Sequence, residues 1–290
     1  MKKKVLLVLN PTAGSMNKDQ VISKTKEYSH KCKIDLDIYC TTGENDVAEI
    51  STRLENIAFD RIISAGGDGT IKMVASVILN TKVVLGILAC GSANGLATSL
   101  NIPDELDEQL EIAFKQEKTS IDTVMINDTI CVHISDLGLN AELIYNYEKS
   151  KSSGKLGYAI QSVPTLIQSE APYDFEITFD DRVIKRSSVL LAMANAKKYG
   201  TGMVINPDGS ITDGHFEVII FEKWNPKEIV KAFFHDFTIQ KSAIELIQTT
   251  SISIQCKKPI PLQVDGEYIG EFEKISAQIR PNSLNIAIPN

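Results

Sequence analysis

Little in this chain can hold it together or anchor it by any means other than a packed core. Its five cysteines, Cys32, Cys40, Cys90, Cys131 and Cys256, contain no CxxC pair and are odd in number. Idle thiols in a reducing compartment are therefore expected, not a disulfide framework or a zinc site. No apolar run is long enough to span a bilayer. The opening "MKKKVLLVLNPTAG" has a basic tip, but its apolar run breaks at Asn10-Pro11, too soon for a secretory signal. Positive charge is not in excess. A formal net charge of −7 argues against a broad nucleic-acid-binding surface and leaves room only for local basic patches. There is no internal repeat and no long low-complexity linker. What is present, 290 residues with 43% hydrophobic and 23% charged, suffices for a sizeable core in one large or two medium domains.

The apolar pattern divides the chain. Val5 to Leu9 is a continuous apolar run, as a buried parallel strand requires. Lys18–Ser29 and Asp46–Asn56 read as helices, and Ile34–Cys40, Arg61–Ala65 and Val83–Ala89 as strands. Ile71, Val74, Ala75 and Ile78 recur at helical spacing, and Pro103 opens an acidic first turn of a further helix. Such alternation predicts a parallel sheet with helices on both faces. After about Ile121 the pattern changes to antiparallel β. Asn127-Asp128 and Asp180-Asp181 sit between apolar alternations as hairpin turns, and "HFEVIIF", "SISIQC" and the run from Pro261 to Ile288 read as further strands, the last run as three or four. Helical stretches are expected near 154–168 and 226–245, and a polar Lys-rich loop or helix entry over 148–158. The expected domains are 1–123, α/β, and 124–290, mostly β; the pattern leaves open a return of the last strand to the first.

Three loops in the first domain share a chemistry: "NPTAGS" (10–15), "GGDGT" (66–70) and "ACGSANG" (89–95). Each follows an apolar strand, and in an open parallel sheet such loops share the carboxyl edge where ligands bind. Glycine lets backbone N–H groups approach a phosphate closely. Any one of them could be a turn made for steric reasons; three at one edge point to a shared anion. The carboxylate of Asp68 among the glycines should repel phosphate. It needs a bridging cation, a proton to manage, or a helix to cap. GxxxxGK[ST], GxGxxG after a strand, and the protein-kinase set of paired Lys, HRD and DFG are all missing.

"LLVLNPTAG", "GGDGT" and "GSANGLA", in this order, resemble the catalytic domain of the diacylglycerol kinase superfamily, which includes bacterial lipid kinases, sphingosine kinases and ceramide kinases. The likeness continues through "SIDTV" (120–124), "DLGLNAE" (136–142), "NPDGSITDGHFEVIIF" (206–221) and "QVDGEYI" (263–269), essentially the whole chain. GGDGT alone is less specific, since NAD kinases carry it and 6-phosphofructokinases carry a close relative. The resemblance implies a nucleotide-binding α/β domain, a C-terminal β-sandwich domain, an active site in the cleft, and ATP with Mg²⁺ as cofactors. Asn10, Pro11, Gly14, Gly66, Gly67, Gly69, Thr70, Gly91, Ser92 and Asn94 would hold nucleotide, and Thr41 or Thr42 matches a hydroxyl position that touches it. The general base would be Glu267 of the DGE element or Asp68; Glu267 is preferred, with Asp68 on the nucleotide and metal side. Asp122 matches another acidic position of the magnesium network. In "SITDGHF", Asp213 would give a side-chain oxygen to a structural metal, and Ser210 and His215 backbone oxygens. On their own, Asp122 reads equally as a connector and Asp213 as part of a turn, and Glu267 has the lesser alternative of a solvated residue in an Asp-Gly hairpin.

The chain departs from the family pattern in places. Gly95 stands where many bacterial members carry Asp, His133 where Asn is frequent, Asn140 where Asp is frequent, and Asp136 at an often small position. These changes bear on the acceptor more than on phosphoryl transfer. A lipid acceptor implies peripheral contact with the inner membrane face by a cytoplasmic protein. "KSKSSGK" (149–155) and "AKKYGTGM" (196–203) have the Lys-plus-apolar character of interfacial segments, and "LGYAIQSVPTLIQ" (156–168) could wall an acyl slot. A homodimer is expected from bacterial relatives, and no nucleic-acid partner. NAD kinase, or a non-catalytic nucleotide-binding regulator, are the competing expectations.

Overall fold

A computed structural model describes residues 2–149, 171–199, 203–221 and 244–289. The chain forms two compact units, Met1–Ile121 with Asn282–Asn290, and Asp122–Pro281. The first is an α/β unit with parallel strands and the second is β-sandwich-like.

In the first unit, β1 (Lys4–Leu9), α1 (Lys18–Lys31), β2 (Asp35–Cys40), α2 (Asp46–Asn56), β3 (Arg61–Gly66), α3 (Asp68–Ile78), β4 (Val84–Ala89), α4 (Gly95–Ser99) and α5 (Leu106–Lys115) follow one another. The parallel order is β4-β3-β1-β2. The continuous apolar runs are explained by burial on both faces, with Val5 to Leu9 all at 1% exposure or less. On one face Val5, Leu7, Leu9, Ile63 and Leu88 pack against Val21 of α1 and Leu106, Leu110 and Phe114 of α5. The buried Arg61 on β3 donates to the carbonyls of Ala113 and Gln116, capping the carboxyl end of α5.

β5 (Lys118–Ile126) leads from the first unit into the second, which continues with β6 (Thr129–Cys131), β7 (Ile134–Gly138), α6 (Leu139–Lys149), β8 (Tyr173–Phe179), β9 (Arg182–Ser188), β10 (Leu190–Ala194), β11 (Lys198–Tyr199), β12 (Met203–Val204), β13 (Phe216–Phe221), β14 (Glu245–Thr249), β15 (Ser251–Val264) and β16 (Glu267–Ala287). The strands pair antiparallel in the order β14-β13-β10-β7-β15-β16, with β8 on β15 and β9 on β8. Leu191 and Met193 of β10 enter one core with Phe175, Phe216 and Val218, while Leu190, Ala192 and Ala194 enter a second with Ile219 and Phe221. The hairpin turn of β8–β9 places Asp180 and Asp181 at φ 45 and 59, the left-handed pair that a two-residue turn demands.

Two readings change. The run from Ser251 to Ala287 folds as only two long strands, β15 and β16. Pro259 does not end β15, because the register shifts between Gln255 and Ile260 and absorbs it, while Pro261 stays in the ladder opposite Glu271. The helix α6 grows from "LNAELIYNYEK", which weak amphipathic periodicity hides. The expected helix at 154–168 lies outside the described residues, as does 226–243, and residues 245–249 are strand. The Lys-rich stretch 150–158 and residues 200–202 also lie outside them. No helix among the described residues is long and apolar enough to cross a membrane.

Candidate active site

In the first unit the loops after β1, β3 and β4 close on one another. The Asn10 N–H donates to the Ala65 carbonyl and the Cys90 N–H to the Gly66 carbonyl, both at 2.9 Å. Side-chain bonds tie the loops further. Asn10 Nδ2 donates to Thr70 Oγ1 at 3.2 Å, and Asn10 Oδ1 accepts the N–H and hydroxyl of Thr12. Glycine is required by contact as much as by conformation. A Cβ on Gly14 (φ 53) would lie 2.2 Å from the Cys90 carbonyl oxygen, and one on Gly91 would lie 2.4 Å from the Gly67 Cα. A Cβ on Gly66 would strike Thr70 Oγ1 at 2.3 Å. Thr70 is accordingly buried under the turn as a strut.

Asp68 opens α3, yet its carboxylate reaches the third loop. Oδ2 accepts from the Gly95 N–H at 2.9 Å and Oδ1 from the Leu96 N–H at 3.0 Å. It therefore caps α4, whose own N-cap Asn94 (φ 53) makes no side-chain cap bond. Asn94 instead folds its loop: Oδ1 accepts the Gly91 N–H and Nδ2 donates to the Gly91 carbonyl, each at 2.9 Å. Ser92 and Pro11 are exposed, and Gly69 lies in the first turn of α3.

The loop after β2 is organised by Asp46. Oδ1 accepts the Thr42 N–H at 2.9 Å and the Tyr39 hydroxyl at 2.5 Å, and Oδ2 accepts the Gly43 N–H. Burial opposes ionisation of Asp46, but these donors outweigh it and hold the carboxyl below its usual range. Burial and the same bond push Tyr39 up to about 12. Thr41 is fixed by its N–H to the Leu9 carbonyl, at the end of neighbouring β1.

In the second unit, Asp122 and the 210–215 segment meet. Asp122 is fully buried; its Oδ2 accepts the Gly214 N–H at 2.7 Å and its N–H donates to the Ile211 carbonyl. Asn195 Nδ2 donates to the Asp122 carbonyl at 2.8 Å. Asp213 Oδ1 accepts the His215 N–H, and Ser210 Oγ lies 3.3 Å from Thr212 Oγ1. Beside them Glu217 is buried, accepting from Asn206 Nδ2 and Gln248 Nε2. Burial pushes its carboxyl up, against the pull of those two amides. Among the described residues no three His, Cys, Asp or Glu side chains are grouped to hold a metal, so a cation there would need main-chain oxygens.

Glu267 is exposed and starts β16, directly opposite Val264 across the Asp265-Gly266 turn (φ 52 and 85). The buried Asp265 anchors that turn. Its Oδ2 accepts from Val132 N–H and its Oδ1 from His133 and Ile134 N–H, at 2.8–3.0 Å. Burial pushes this carboxyl upward while the three N–H donors pull it down. Tyr268, next to Glu267, packs its ring 4.5 Å from Tyr145 of α6. Residue-type patterns alone miss Asp46, Asp265 and Lys18, whose Nζ donates to the Ala13 and Met16 carbonyls of the first loop. Only the Asn45-Asp46 helix start and the Asp-Gly turn hinted at the first two.

Parallel strands with converging glycine loops, followed by a β-sandwich-like unit, define a class of α/β protein whose ligand edge is the carboxyl end of the sheet. Comparison narrows it. Residues 4–126 match the family described as Diacylglycerol kinase catalytic domain, and residues 136–288 the YegS C-terminal NAD kinase beta sandwich-like domain. The chain belongs to the diacylglycerol kinase catalytic-domain superfamily. A diacylglycerol kinase of Staphylococcus saprophyticus is 24% identical over 94% of this chain and 91% of its own. That of Bacillus subtilis is also 24% identical, over 92% of this chain and 91% of its own. A crystal structure of a diacylglycerol kinase from Bacillus anthracis superposes with a TM-score of 0.75 at 17% identity, covering 99% of this chain and 97% of that one. A second structure from the same organism reaches 0.81 at 20% identity, covering 99% and 98%. The relatives' names support a kinase of the lipid-kinase kind.

Proposed function

We propose that this protein is an ATP- and Mg²⁺-dependent kinase that transfers the γ-phosphoryl group to a lipid hydroxyl, of diacylglycerol or of a sphingoid-type alcohol. The observation that carries the proposal is the glycine cradle of the first unit. Three loops stand so close that a Cβ on Gly14 or Gly91 would strike main-chain atoms; the glycines thereby gather the ends of three parallel strands, where main-chain N–H groups can meet a polyphosphate. Asn10, Pro11, Gly14, Gly66, Gly67, Gly69, Gly91 and Ser92 line it, with Thr70 and Asn94 bracing it from behind, and Thr41 or Thr42 serves at the adjacent strand end. The donor set fits a nucleotide. It also fits a hard cation, since carboxylate and main-chain oxygens are what Mg²⁺ takes. Asp68 would serve a cation in the first unit and Asp122 one in the second, where Ser210, Asp213 and His215 would hold a structural cation. Bound Mg²⁺ would neutralise polyphosphate charge.

Glu267 acts as the general base, taking the proton of the acceptor hydroxyl. Its exposure leaves it open to a bulky acceptor, and the anchored turn holds it in place. A lipid acceptor requires peripheral membrane contact, and a homodimer is compatible with it.

The test is transfer of labelled γ-phosphate from ATP with Mg²⁺ into mixed-micelle diacylglycerol, sphingosine, ceramide and monoacylglycerol, with Asp68→Asn and Glu267→Gln alongside. Label in one lipid, lost in Glu267→Gln while ATP binding persists, is expected. The sandwich family's description includes NAD kinase, so NAD is a further arm of the assay. Label in NAD alone would replace the lipid reading. ATP binding with no transfer, insensitive to both substitutions, would indicate a non-catalytic regulator.

A further inference from the structure

The turn that carries Glu267 is braced by a buried polar chain in the second unit. Gln263, 1% exposed on β15, uses both ends of its amide. Oε1 accepts the Gly266 N–H at 2.8 Å, and Nε2 donates to Asp136 Oδ2 at 2.5 Å. The same Asp136 oxygen accepts Asn140 Nδ2 at 2.8 Å. Asp136, on β7, is fully buried and pairs in register with Gln263, while Asn140 lies in the first turn of α6. Ser135 Oγ also donates to the Gln263 carbonyl.

The direction of this chain is set by donor and acceptor roles. An amide can present either end to a neighbour, but a carboxylate offers only acceptors. Asp136 therefore draws Nε2 of Gln263 inward and leaves Oε1 facing the Gly266 N–H. Reversing the amide would bring two donors together at Gly266 and two acceptors together at Asp136. We propose that Asp136 is a positioning residue: acting through Gln263, it fixes the Asp265-Gly266 turn and with it the carboxylate of Glu267. This rests on the reading of Glu267 as the base. Asp136 and Asn140, each unusual by itself, then form one unit, a carboxylate near the end of β7 held by an amide in the first turn of α6.

The test is a polarity exchange in the full chain. Asp136→Asn removes the acceptor-only carboxylate that orients Gln263. Gln263→Glu sets two carboxylates face to face. Each is expected to lower kcat for the labelled lipid roughly 10- to 100-fold, leaving KM for ATP unchanged, and to raise hydrogen exchange at the Gly266 amide. In the double variant Asp136→Asn/Gln263→Glu the new amide at 136 donates to the new carboxylate at 263, which still accepts the Gly266 N–H. Turnover and amide protection should both recover. Singles that match wild type in turnover and exchange, or a double variant whose losses simply add, overturn the proposal. The double variant keeps the test decisive where a single variant folds poorly. No transfer by wild type would overturn the lipid-kinase reading instead, and exchange at Gly266 would still decide the brace.

Discussion

Replacing Asp68 by Asn tests why a carboxylate stands among glycines. Its two oxygens accept the Gly95 and Leu96 N–H groups at 2.9 and 3.0 Å, the first donors of a helix that has no cap of its own. Asn keeps one acceptor and turns an NH₂ towards the other N–H. Losing a cap costs about 1 kcal/mol, and leaving a donor facing a donor adds about 1 kcal/mol more at a half-buried site. The expected loss is about 1–2 kcal/mol. For a unit of this size that is a fall in Tm of roughly 2–8 °C, read by calorimetry on the apo protein. Because α4 follows the third glycine loop directly, ATP affinity, read by titration calorimetry, should fall with it. A variant that melts and binds ATP like wild type yet transfers nothing would refute the capping argument and place Asp68 in the chemistry alone.

Three further outcomes are expected. Gly91→Ala puts a Cβ 2.4 Å from the Gly67 Cα, about 1 Å inside ordinary contact; the second and third loops must part, and ATP affinity should fall roughly tenfold or more in equilibrium binding. Asp46 is held below its ordinary value of 3.8, so its stabilising contribution is present above that pH and disappears as pH falls through the folded value. Urea unfolding of wild type and Asp46→Asn should therefore differ at pH 6 and converge at low pH. Glu217 is raised above 4.5, so its contribution is fully present below that pH and is lost as pH rises through the folded value. Glu217→Gln should thus gain Tm relative to wild type between acid and neutral pH, and a flat difference across that range would contradict the assignment.

The division of the chain was legible because burial on both faces writes continuous apolar runs, as in Val5 to Leu9, while half-exposed strands such as β8 write alternation. The glycine loops were legible because their residue types are forced by local geometry. Gly14 and Asp265 need left-handed backbone or its tolerance, whatever the rest of the chain does. The strand ends of β15 were not. Proline normally ends a strand, but the register shift before Ile260 lets Pro259 remain inside one, and Pro261 pairs with Glu271 beyond it. Helix α6 was hidden because its first turn is set by buried polar groups, Asn140 and Asp136, more than by an apolar stripe.

The site residues were legible as types but not as roles, and the reason is sequence separation. A side chain's neighbours three or four positions away can be anticipated from helix or turn geometry, but Asp68 takes its partners 27 and 28 residues on, Asp122 at 92, and Gln263 at 127. Such contacts exist only once the sheet has brought its strand ends together. The same holds for the departures from the family pattern. Gly95 removes a carboxylate from the third loop, but the bond to Asp68 comes from its backbone N–H, which any non-proline residue there would supply. That exchange therefore lowers negative charge beside the glycine cradle without loosening the cap. Asp136 adds a carboxylate elsewhere and uses it to orient an amide.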